Sequence, residues 1–103
     1  MDPHRIAEAR SLAYHQAVAN RLATEPALLA TAQARVEAWR REGRPYAAAW
    51  TRILALQPAE LAAALVEDNE PAGALRQSTP FANALPPAER WQFWREVRSA
   101  LER

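Results

Sequence analysis

The chain has 103 residues, 50% apolar and 24% charged, with a formal net charge of +1. That length suits one domain able to bury a modest core, and the near-neutral balance argues against a dedicated nucleic-acid binder, which carries a clear basic excess. The absence of cysteine excludes disulfides and thiolate metal sites.

No stretch approaches the roughly 18 apolar residues that span a bilayer. Met1-Asp-Pro-His-Arg5 lacks the apolar segment of a signal peptide, so a cytoplasmic location and no membrane partner are expected. All 13 basic residues other than the histidines are arginine; a GC-rich coding bias explains this more simply than a demand for guanidinium chemistry.

Prolines and glycines divide the chain into helical segments. Asp2 offers an N-cap carboxylate before Pro3, and a first helix is predicted over about residues 3–23. Ile6, Ala9, Ala13 and Ala17 make one stripe on it; Tyr14, Val18 and Leu22 make its neighbour. A second helix is predicted over about 26–42, with Leu29, Ala32, Val36 and Trp39 on one face. Gly43 suits its C-terminal stop, and Arg40 and Arg41 suit the last turn. A third, from about 45 to 56, points Tyr46, Trp50, Ile53 and Leu54 inward. A fourth starts at Pro58 and carries Leu61, Ala62, Leu65 and Val66. Asn69 is an N-cap for a brief fifth ending near Gln77. Ser78 to Pro86 form the one extended loop, since each proline disfavours helix in the residue before it. A sixth helix runs from Pro87 to the C-terminus with Phe93, Trp94, Val97 and Leu101 as its apolar face. No strand alternation appears. The expected fold is all-α, a single compact bundle of five to six short helices over residues 1–103.

Catalytic chemistry finds little support. His4 and His15 lie roughly 16 Å apart along one helix, too far to share a metal, and are read as solvated or capping residues. Glu67, Asp68 and Glu70 cluster at a helix break, where Glu70 suits a first turn and Asp68 the break itself. The hydroxyl residues sit in no nucleophile-elbow motif, and two glycines cannot build a phosphate-cradling loop. No catalytic residue, metal or cofactor is assigned, and a non-enzyme is expected.

Two binding readings follow. Residues 57–65 resemble the first helix of a helix-turn-helix unit, which makes residues 69–77 a recognition helix offering Arg76 and Gln77 to DNA. The likeness departs at the turn, where Val66, Glu67 and Pro71 replace the usual small and apolar residues, and acidic residues open the reading helix. The other reading uses the last helix. Trp91 and Trp94 stand three apart, flanked by Arg90, Arg95 and Arg98, and Trp with Arg dominates protein-binding hot spots. Trp94 is expected in the core and Trp91 at an edge.

Leu75-Arg-Gln-Ser-Thr-Pro-Phe-Ala82, followed by Ala88-Glu-Arg-Trp91, resembles a block found in small bacterial helical proteins, and Arg5 to His15 resembles their opening. That resemblance implies operon partners of a larger protein, namely antitoxins of toxin–antitoxin modules, and carries no catalytic residue with it. The leading expectation is a protein-binding module that sterically blocks its partner through Phe81, Arg90, Trp91 and Arg95. DNA binding through Arg76 and Gln77 is the alternative, and a homo-oligomer through the last helix is the third.

Overall fold

Five of the six helices open on a proline in their first turn. Proline lacks the N–H that would be unsatisfied there and already holds the helical φ. In the computed structural model, which describes residues 2–102, the helices are α1 (Pro3–Arg21), α2 (Pro26–Arg41), α3 (Ala47–Leu54), α4 (Pro58–Leu65), α5 (Glu70–Arg76) and α6 (Pro87–Leu101). No strand occurs among the described residues, so the all-α expectation holds. Boundaries fall within about two residues of those read from sequence; Arg103, assigned to the last helix, lies outside the described residues.

The caps explain the boundaries. Asp2 accepts the His4 N–H at 3.1 Å, and Asn69 accepts the Ala72 N–H at 2.9 Å. Gly43 takes φ +74° after α2. Its N–H donates to the Arg40 carbonyl at 3.2 Å, and the Arg44 N–H reaches back to Trp39 at 3.0 Å. This pair of bonds is a Schellman stop, and it needs a residue that tolerates the left-handed region. Trp39 then meets Tyr46 edge-on, ring centroids 5.0 Å apart, across the turn into α3.

Packing divides the helices unevenly. α1 lies against α4, α5 and α6, while α2 approaches α3 alone among the helices; α4 touches α3 and α5. One hydrophobic cluster nevertheless unites Tyr14 and Val18 of α1, Ala32 and Val36 of α2, Trp50 and Leu54 of α3, Leu61 and Leu65 of α4, and Phe81 and Leu85 of the loop after α5. That loop brings α2 into the core. Trp50 is the largest fully buried side chain.

On α1 the fully buried residues are Tyr14, His15 and Val18, while Ile6, Ala9, Ala13 and Ala17 are half-buried. One sequence expectation needs correction. Trp94 is half-buried too, because α6 contributes no fully buried residue. Phe93 is the α6 aromatic that packs on the core, while Trp94 lies beneath the Arg10 guanidinium, 5.5 Å from its ring centroid.

Replacing Trp50 by alanine is expected to cost about 3–5 kcal/mol of unfolding free energy. Trp50→Phe is expected to cost well under half of that. It keeps a ring in the site and removes an indole N–H that is buried without an acceptor. Chemical denaturation of the two variants checks the ordering.

Candidate functional site

The segment from Ser78 to Pro86 is irregular backbone with a buried centre, so its polar groups need partners that no helix supplies. Side chains supply them from two directions. From α1, the Tyr14 hydroxyl donates to the Phe81 carbonyl and accepts the Ala84 N–H at 3.0 Å. From α2, the Arg35 guanidinium donates to the carbonyls of Pro80 and Ala82. Asn83 completes the turn at φ +62°, a conformation asparagine tolerates better than most residues.

His15 is the third partner, and here the sequence reading was wrong: the ring is 1% exposed rather than solvated. Nδ1 lies 2.7 Å from the Ser11 carbonyl, which can only accept, so Nδ1 carries the proton. Nε2 is then the lone-pair nitrogen, and it accepts from the Thr79 hydroxyl at 2.7 Å. The Thr79 oxygen in turn accepts the Phe81 N–H at 3.1 Å. Burial pushes the His15 pKa down from its ordinary 6.5 to about 4; the Ser11 carbonyl opposes this and the nearby Arg76 charge adds to it. His4, by contrast, is exposed and lies 3.1 Å from Glu8.

This network decides two of the residues assigned from sequence. Phe81 is 1% exposed and belongs to the core, so it is not available as a contact residue. Its carbonyl and N–H are both held by α1 and Thr79, which turns the ring inward. Arg76 is 6% exposed and cannot reach bases. Its guanidinium donates to the Glu67 carbonyl at 2.7 Å and the Leu65 carbonyl at 3.4 Å, where it satisfies orphan acceptors at the C-terminal end of α4. Gln77 stays exposed, but the recognition helix that reading requires has seven residues and its arginine is buried.

The other three assigned residues lie on α6. Trp91 is 60% exposed and meets Trp94 edge-on at 5.6 Å. Arg95, four residues on and on the same face, is exposed and has no salt-bridge partner among the described residues. Arg90 is half-buried and turns toward the loop, donating to Asn83 Oδ1 at 3.2 Å. The Arg21–Glu89 ion pair fastens the start of α6 to the end of α1. Among the described residues no group of three metal-ligating side chains converges, and no helix is long and apolar enough to cross a membrane.

Sequence reasoning missed Tyr14, His15 and Arg35 as the residues that hold the loop. The adjacent Tyr-His pair on an otherwise small-residue stripe was the available signal, since a proline-rich loop with hydroxyls must find donors and acceptors elsewhere.

No protein-family model, curated protein or solved structure matches this chain.

Two outcomes test the loop clasp. Tyr14→Phe is expected to cost about 0.5–1.5 kcal/mol, because it removes both bonds of the hydroxyl while the Ala84 N–H and the Phe81 carbonyl keep their own bond at 3.1 Å. The second outcome is a pH dependence. The folded pKa of His15, about 4, lies below the ordinary 6.5, so the unfolded chain takes up the proton first as pH falls. The His15 contribution is therefore complete above about pH 6.5 and shrinks by on the order of 3 kcal/mol toward pH 4. Denaturation midpoints across that window should fall steeply in the native protein and be flatter in His15→Gln.

Proposed function

We propose that the protein is a non-enzymatic binding module that docks a protein partner through the outer face of α6 and blocks it sterically. The observation that carries this reading is Trp91. A tryptophan left 60% exposed, braced edge-on by a second one, is a large apolar surface that water disfavours and that folding has not buried. Arg95 beside it has no carboxylate to satisfy it among the described residues, and Arg90 borders the same patch. Trp and Arg on one face, next to a rigidly clasped loop, form a preorganised hot spot.

The chemistry of the face defines its partner as a protein with an apolar pocket for the Trp91 indole and carboxylates at its rim. The likeness of the Leu75–Ala82 and Ala88–Trp91 blocks to small operon-encoded bacterial proteins supports a toxin as that partner and an antitoxin role for this chain. Arg76, held against the end of α4, weighs against the DNA-binding reading.

Co-expression with the product of the adjacent reading frame is expected to yield a stoichiometric complex. Trp91→Ala should weaken it by about 2 kcal/mol or more, roughly thirtyfold. Arg95→Glu should slow association and remove its salt dependence. A protein that purifies from its native host without any companion sinks this reading.

A further inference from the structure

A cleft of about 350 Å³ runs between α1, the clasped loop and α6, and the side chains that reach it include Arg10, Arg76, Arg90, Ser11, Asn83 and Trp94. Its lining contains three arginines and no carboxylate. None of these arginines forms a salt bridge with any described residue. The Nε of each is buried without a hydrogen-bond partner. Arg76 is more than nine-tenths buried, and its two hydrogen bonds go to neutral carbonyls. Arg10 is held over the Trp94 ring, and Arg90 is held by Asn83.

Three like charges around one small cleft repel one another, and burying a guanidinium without a counter-charge is costly. Arg21, Arg40, Arg44 and Arg98 each face a glutamate, whereas these three, like Arg95, do not. The lining of this cleft thus carries three positive charges and no carboxylate, while Glu8 lies on the other side of Arg76. We infer that the Arg10–Arg76–Arg90 cleft is a binding site for a phosphate group. Phosphate carries about −1.5 to −2 charge at neutral pH and three acceptor oxygens, a closer match to three guanidiniums than a single carboxylate. Guanidinium forks bind such oxygens in pairs. The cleft has room for more than the ion, and Trp94 gives the additional volume an aromatic wall.

The site adjoins the partner face proposed above and shares Arg90 and Trp94 with it, but its test needs no partner. The native protein is titrated with inorganic phosphate at constant ionic strength while its melting temperature is followed. A saturable rise of roughly 10–20 °C is expected once the ion exceeds its Kd about a hundredfold. Arg10→Gln and Arg90→Gln, both at half-buried positions, should each weaken the response at least tenfold. Arg41→Gln, on the exposed end of α2, should leave it unchanged and thereby controls for loss of charge alone. Phenyl phosphate binding more tightly than the bare ion assigns the remaining volume to an aromatic ester, and equal binding assigns the site to the free ion. The inference is overturned if sodium chloride at matched ionic strength reproduces the rise, or if Arg10→Gln and Arg90→Gln both retain it.

Discussion

The segment from Ser78 to Pro86 holds this molecule together because it is gripped from two helices that do not pack directly on each other. α1 supplies Tyr14 and His15, and α2 supplies Arg35. Remove the loop and the α2–α3 pair would keep only its link through α4. The loop also delivers Phe81 and Leu85, two of the few large apolar side chains in an alanine-rich core. Polar fastening and apolar burial are therefore joined in the same nine residues. The hydrogen bonds fix where the ring goes, and the ring's burial strengthens the bonds by excluding water from them.

That arrangement carries a cost, since buried polar networks stabilise only when every member is satisfied. Here the satisfaction is close to complete. Both nitrogens of His15 are bonded, the Thr79 hydroxyl bridges ring and backbone, and the Tyr14 hydroxyl both gives and receives. The exceptions lie elsewhere, in the Trp50 indole, in one Glu89 carboxylate oxygen and in the arginines around the α1–α6 cleft. The clasp is thus the settled part of the polar interior, and the arginine cleft is the part where partners are missing.

Helix positions were legible in the sequence because prolines, Asp2, Asn69 and Gly43 act locally, through a missing N–H, a capping oxygen or a positive φ. The faces of α2, α3 and α4 were legible for a related reason: their large apolar residues are few and evenly spaced. The buried ends of His15 and Arg76 were not. Each is buried because a partner far away in the chain satisfies it, Thr79 for His15 and the end of α4 for Arg76, and no periodicity reports such a partner. The same gap placed Phe81 on a contact surface and Trp94 in the core. Trp91 and Arg95 fall as their helical phase indicates, since exposure on an outer face needs no distant partner.

The bonds that Tyr14 and His15 make to the loop join residues 64 to 70 apart in sequence. A chain synthesised from its N-terminus must therefore carry α1 for most of its length before the groups that complete α1 exist. Until Ala84 is available, a phenol, an imidazole and an apolar stripe have only water or a wrong neighbour to meet, and closing so long a loop is entropically slow. The final, Trp-bearing helix follows immediately after the loop. The exposed aromatic face is thus presented only on a chain whose interior is ready to close, which couples completion of the fold to the appearance of that face.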